Sequence, residues 1–214
     1  MLCQPDKFRV ESAYPPQQRD VVRVAEFNRE QVLRSAMYEF MSKGFNKTSM
    51  QDLKKATGLH PGSIYCAFEN KRGLLLAALE QYASEREAEF NAIFAAQPSV
   101  MDGLKSYFCM VIDECAQDTV KDCLLQKAQS ELSQQDDEVE SVIRDTLNIW
   151  KLGLRDQLQV ARQRGEISPE SDCDFLADYL VMGIYGLRTF AHAKPKKELL
   201  CQMAEQLLAT IKTQ

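Results

Sequence analysis

Beyond residue 28, apolar side chains recur at steps of three and four almost to the C-terminus. One interval, Thr57–Phe68 (TGLHPGSIYCAF), breaks that rhythm. Gly58, Pro61 and Gly62 fall within five residues there, yet Ile64 and Phe68 resume a helical spacing at once. Glycine supplies a left-handed stop, and proline suits the first turn of a helix. The interval therefore reads as a tight joint between two short helices. Strands would need a period of two, and nine Gly and seven Pro in 214 residues are few for a turn-rich β fold. The expected fold class is all-α.

The helices around the joint carry their own punctuation. Asn28, with Gln31 three residues on, caps a helix whose apolar face is Leu33, Ala36, Met37, Phe40 and Met41. Gly44 is expected to end it as a left-handed cap. Thr48 and Gln51 read as a second capping box, opening a helix with Leu53 and Ala56 inward. Pro61 opens the next one. It turns Ile64 and Phe68 inward and leaves His60, Gly62, Ser63, Tyr65 and Cys66 outside. Asn70 caps a long helix through Leu74, Leu79 and Phe90.

Two short helices joined by a glycine turn, with longer supports, make a helix-turn-helix at about 48–68, within a domain at 27–73. Residues 1–26, with Pro5, Pro15 and Pro16, read as a flexible arm. Residues 74–214 read as a helical bundle, its helices at about 99–116, 121–133 and 136–164, from Ser168, and after Pro195.

Charge separates the same two parts. Residues 1–73 hold 12 Lys and Arg against 8 Asp and Glu, a surplus of +4; the remainder holds 14 against 23, a net −9. A basic end on an acidic body fits a polyanion contacted at one end only. The longest apolar stretch, Phe175–Leu187, is 13 residues and contains Asp178, too short to span a bilayer. No basic and apolar leader opens the chain. The expectation is a soluble, intracellular protein with no membrane partner. Seven cysteines occur without a CxxC pair, and only His60 and His192 are present. No metal, no cofactor and no enzymatic activity are expected.

In a DNA-reading helix-turn-helix the second helix enters the major groove, base edges meet its first residues, and flanking donors hold phosphates. Candidate base-edge residues are His60, Ser63 and Cys66, with Pro61 and Gly62 in close contact. Candidate phosphate donors are Lys47, Thr48, Lys54, Lys55, Tyr65 and Lys71.

The run Gly44–Leu75, GFNKTSMQDLKKATGLHPGSIYCAFENKRGLL, closely resembles the DNA-binding domain of the TetR family of bacterial transcriptional regulators. The shared pattern is Gly-Phe, Thr-Ser, a short apolar-centred helix, Gly, Gly-Ser-Ile-Tyr, an aromatic, Lys and Leu-Leu. Cys123-Leu124-Leu125 with Glu131-Leu132, and Gly165-Glu166-Ile167 with Asp172, are similar to segments of one large subset of that family. Asp122 stands where the subset carries Gly.

The resemblance places Ser49 among the DNA contacts. It implies a homodimer, a palindromic double-stranded operator and a small-molecule effector bound by the body. The implied pocket candidates are Tyr107, Phe108, Cys109, Cys123, Trp150, Leu154, Tyr179 and Met182, with ordinary core packing as the competing account of each. A mostly apolar effector is expected. Gly183 and Gly186, with Leu199, Met203 and Leu207 of the last helix, are the expected dimer face. Two alternatives stay open: a repressor whose Cys123 senses oxidants or electrophiles, and a chromosome-organising DNA binder without an effector.

Overall fold

The computed structural model describes residues 27–116, 123–133 and 135–213. The arm at 1–26, and Lys121 and Asp122 beside Cys123, lie outside them. Nine helices occur among the described residues: α1 (Arg29–Lys43), α2 (Met50–Thr57), α3 (Pro61–Phe68), α4 (Lys71–Ala95), α5 (Val100–Ala116), α6 (Leu124–Leu132), α7 (Asp137–Gln163), α8 (Cys173–Ala191) and α9 (Lys197–Thr213). None is long and apolar enough to cross a membrane.

Two apolar cores organise them. The first forms the head. Leu33 and Phe40 of α1, Leu53 of α2, Ile64 and Phe68 of α3, and Leu74 and Leu79 of α4 are all buried there. The second forms the body, from Phe90 of α4, Leu104, Phe108 and Ile112 of α5, Leu154 and Leu158 of α7, Leu180 and Ile184 of α8, and Ile211 of α9. The division expected at residue 73 falls inside α4, whose first turns from Leu74 to Tyr82 belong to the head's core. One continuous helix thus serves both cores. Burying about ten large apolar side chains in the head outweighs the marginal intrinsic stability of its eight-residue helices.

The helix starts and caps depart from expectation at three points, one of them α8, which starts at Cys173 with Asp172 as its cap rather than at Ser168. Asn28 accepts from the Gln31 amide at 3.0 Å, and Gly58 is left-handed at φ 72°, both as expected. The α2 box is one residue later than Thr48–Gln51. Ser49 is the cap, its hydroxyl accepting from the Asp52 amide at 3.1 Å while Asp52 accepts from the Ser49 amide at 2.9 Å. A carboxylate at the third helical position also suits the positive end of the helix dipole, an advantage Gln51 lacks. Gly44 has φ 84° and ψ 161°, an extended mirror conformation rather than a left-handed helical cap. The positive φ demands glycine, and a Cβ there would also force the Glu131 carboxylate to move.

Candidate nucleic-acid interface and effector cavity

The head holds α3 outward by a chain of short bonds. Leu53 and Ile64, both fully buried, lock α2 to α3. Between them Thr57 Oγ1 donates to Leu53 O at 2.7 Å and accepts from Leu59 N at 3.2 Å. His60 caps α3, its Nδ1 accepting from Gly62 N at 3.2 Å. An accepting Nδ1 leaves the proton of the neutral ring on Nε2, which makes that nitrogen an outward donor. His60, Gly62, Tyr65 and Cys66 are exposed, and Pro61 and Ser63 partly so; Lys47, Lys54 and Lys55 are exposed on the same head.

Three expected DNA contacts, two of them phosphate donors, are placed otherwise. Thr48 is buried, and its hydroxyl donates to Gly44 O at 2.6 Å, so its side chain faces the core. With the cap one residue later, Thr48 falls on the inner side of the turn. Ser49 is exposed, but its hydroxyl is engaged with Asp52, donating at 2.6 Å. The Lys71 ammonium donates to Phe45 O at 2.7 Å and Thr48 O at 3.0 Å, and lies 4.2 Å from the centre of the Phe45 ring. Burial lowers its pKa, with Glu131 opposing. Lys71 is a clamp on the loop before α2, with two of its three donors already spent.

Inside the body is a cavity of about 150 Å³ between α4, α5, α6, α7 and α8. Of the expected pocket residues, Tyr107, Cys123 and Trp150 line it. Phe108 and Leu154 are buried in the surrounding core without reaching its wall, and Tyr179 packs half-buried against that core. Cys109 and Met182 are corrections: both are exposed. Helix α5 turns Leu104, Phe108, Val111 and Ile112 inward, leaving Cys109 on its far side; α8 turns in Leu180 and Ile184, leaving Met182 outside. Sequence reasoning missed Tyr82, Arg86, Tyr185 and Arg188 on the wall. An arginine directly after the apolar run Phe175–Leu187, with Phe190 and Ala191 beyond it, was the available signal for Arg188.

The polar end of the cavity is highly organised. Tyr82 Oη donates to Cys123 Sγ at 3.2 Å, and burial pushes the Tyr82 and Tyr107 hydroxyls up in pKa. Glu114 bridges two guanidiniums, Arg86 and Arg188. Cys123 is also the cap residue of α6, and the far end of that helix touches the head. Glu131 accepts from Asn46 N at 2.8 Å, while Leu124, Leu125, Ala128 and Leu132 are buried in the head's core. At the start of α4, Arg72 bonds to Asp136, the cap of α7, and to Glu138 at 2.6 Å.

Two family models cover most of the chain. Residues 32–78 match the bacterial regulatory proteins of the tetR family, and residues 102–207 match a tetracyclin repressor-like C-terminal domain. The transcriptional repressor ComR of Escherichia coli K12 is 30% identical over 181 residues, spanning 83% of this chain and 86% of ComR. The chain belongs to the TetR family of bacterial transcriptional regulators. It is a DNA-binding regulator of the repressor type and not an enzyme. Solved TetR-family structures share its fold. A cysteine mutant of CifR complexed with 26-bp operator DNA has a TM-score of 0.77 at 22% identity, over 86% of this chain and 96% of that one. Reduced NemR of E. coli has a TM-score of 0.75 at 19% identity, over 86% and 94%.

On the TetR dimer question, Gly183 is a further correction. A Cβ there would meet Leu207 of the same chain at 2.7 Å, so this glycine lets α9 close onto α8 within one protomer. Gly186 is open, and it lies in line with the exposed Met182 and Phe190. Leu199 and Met203 are exposed on α9.

Proposed function

We propose that this TetR-family chain is a cytoplasmic homodimeric repressor. In this reading a small, mostly apolar effector, seated in the body cavity, releases the dimer from a palindromic operator. The supporting observation is α6. One end of this nine-residue helix, Cys123 with Leu125 and Gln126, forms cavity wall; the other, Glu131, holds the Asn46 amide in the turn before α2. A ligand that moves the first end moves the seat of the second. Two heads must present α3 to half-sites about 34 Å apart. An effector favouring a different head spacing therefore weakens binding by its differential affinity, typically about 5- to 150-fold.

In each head His60 Nε2, Ser63, Tyr65 and Cys66 would face the groove and Lys47, Lys54 and Lys55 the backbone. The dimer would form through Met182, Gly186, Leu199 and Met203 across a two-fold axis. Fluorescence anisotropy against DNA from upstream of the protein's own coding sequence, with competitor and a salt series, tests this. The expected result is tight, competitor-resistant, salt-steep binding by a dimer. A monomer in light scattering, or binding abolished by competitor at every candidate site, would sink it.

A second reading is favoured by Cys123 itself. Its thiol is half-buried on the cavity wall and accepts from Tyr82. An oxidant or electrophile entering the cavity would modify the cap of α6. Peroxide treatment that lowers operator affinity in the wild type, but not in Cys123→Ser, is the expected result; equal responses would refute a sensing role.

A further inference from the structure

The reading above leaves the effector's chemistry open beyond a mostly apolar character. We infer that the cavity takes an amphipathic carboxylate, its hydrocarbon part on Phe90, Leu147 and Ile184 and its carboxylate against Arg188 and Arg86. This inference rests on the proposed role of the cavity as effector site and names the class of molecule that fits it.

Arg188 is 9% exposed, yet it sits in an otherwise apolar face of α8 and lines the cavity. A guanidinium so desolvated needs counter-charge. Its partner is one carboxylate, Glu114, which it shares with Arg86. Glu114 does not line the cavity. With Glu89, which also pairs with Arg86, it lines a shallow depression on the other side, beside Lys105 and Cys109. Neither carboxylate is on the cavity wall, so the counter-charge of both guanidiniums lies outside it. Glu87 is the one acidic side chain on the cavity wall among the described residues, and it is exposed to solvent.

The neighbouring polar groups point the same way. Arg86 Nε, Trp150 Nε1 and the Tyr185 hydroxyl are buried with no hydrogen-bond partner among the described residues, and all three belong to side chains on this wall. The first two are donors only, and the third can donate. Trp150 and Tyr185 meet edge to face at 6.2 Å, so the two rings share one part of the wall.

A wholly apolar ligand would leave those donors unpaired, and a cation would face two guanidiniums. A carboxylate offers paired acceptors of the shape a guanidinium fork fits. The cavity is small, about 150 Å³, with Phe90 and Tyr107 edge to face at 5.3 Å on its wall. It suits a ligand with one short chain or one ring.

The test uses the full chain and calorimetry, with fluorescence of the sole tryptophan, Trp150, as a second readout. The probes are the straight-chain carboxylates from butanoate to dodecanoate and 4-phenylbutanoate, their methyl esters, and octylammonium. At least one carboxylate is expected to bind and perturb Trp150 roughly tenfold more tightly than its ester, with octylammonium not bound. Arg188→Met should erase that preference. That variant leaves Glu114 with Arg86 as its one remaining guanidinium, so Tyr185→Phe, which removes a single hydroxyl, is the gentler check. It should weaken the carboxylate roughly three- to tenfold and leave the ester unchanged. Esters binding as tightly as acids, a carboxylate affinity indifferent to Tyr185→Phe, or no binding by any probe would overturn the inference. Operator anisotropy on the same preparation separates the two failures. Intact operator binding without carboxylate binding removes only the ligand class; lost operator binding removes the repressor reading.

Discussion

The head and the body treat buried polarity in opposite ways. In the head, buried Thr48 spends its hydroxyl on Gly44 O, and the part-buried Lys71 ammonium is bonded to two carbonyls. In the body, Arg86, Trp150, Ser171 and Tyr185 keep buried polar atoms without partners among the described residues. A surface that reads DNA must be rigid before it meets its target, and satisfied hydrogen bonds make it so. A site that answers a ligand must gain something when the ligand arrives, and unpaired donors around a cavity supply that gain. The two are joined by α6, which contributes to both the cavity wall and the head's core.

The largest test of the contrast compares two isoleucines. Ile64 is fully buried in the head, whereas Ile184 borders the cavity. Ile64→Ala should lose stability toward the top of the usual range of about 2–5 kcal/mol in urea unfolding, together with operator binding. Ile184→Ala should fall toward the bottom, because its surroundings already include free space. Equal losses would mean that the cavity is not the soft part of the fold.

Next comes the joint. Glu131→Ala leaves the Asn46 amide without its acceptor and should cost about 1–2 kcal/mol of stability. Whichever carboxylate probe binds the cavity should then bind as before and no longer alter operator affinity. Unchanged coupling, read by anisotropy with and without the probe, would move the transmission path away from α6.

Smaller still is the reading surface. Tyr65→Phe removes one exposed hydroxyl and should weaken operator binding by about 0.5–1.5 kcal/mol without shifting the thermal midpoint. A lower midpoint would show that Tyr65 supports the head's core.

The smallest effect is a pH dependence at the contact between the start of α4 and the cap of α7. The Arg72 guanidinium, helped by the Val139 amide, holds the Asp136 carboxyl down at about 2. The ordinary value is about 3.9. A carboxyl lowered by folding adds stability that is present above the unfolded value and is lost as pH falls through the folded one. Urea midpoints measured from pH 5 to pH 2 should therefore fall between about 4 and 2 in the wild type, with a shallower fall in Asp136→Asn. Parallel curves would mean that the pair adds nothing to folding.

The pattern of legibility in the sequence follows from range. The Asn28 cap, the Gly58 stop, Pro61 at the head of α3 and the inward Ile64 and Phe68 were all readable, because each depends on residues within one or two turns. The α2 cap was misread by one residue because Thr48 and Ser49 both precede a polar residue at the right spacing. What separated them was the carbonyl of Gly44 and the burial of Thr48 behind it. Lys71 was misread for a similar reason: a lysine near a helix start resembles a phosphate donor until the loop 26 residues earlier is folded beneath it.

The body shows the same limit more strongly. Trp150, Tyr107 and Cys123 were legible as cavity candidates; the pairing of Arg86 with Arg188 was not, since 102 positions separate them in the chain and Glu114 brings them together. Periodicity also could not tell the inner face of α8 from its outer one, because Met182 and Ile184 are both apolar and the helix is apolar nearly all round. By itself the sequence determined the helices, most of their ends, the helix-turn-helix and the family, since caps, spacing and motif are local. Only the tertiary structure decided which polar groups would be spent in the fold and which would be left for a ligand. That balance depends on burial and on partners brought together from distant parts of the chain.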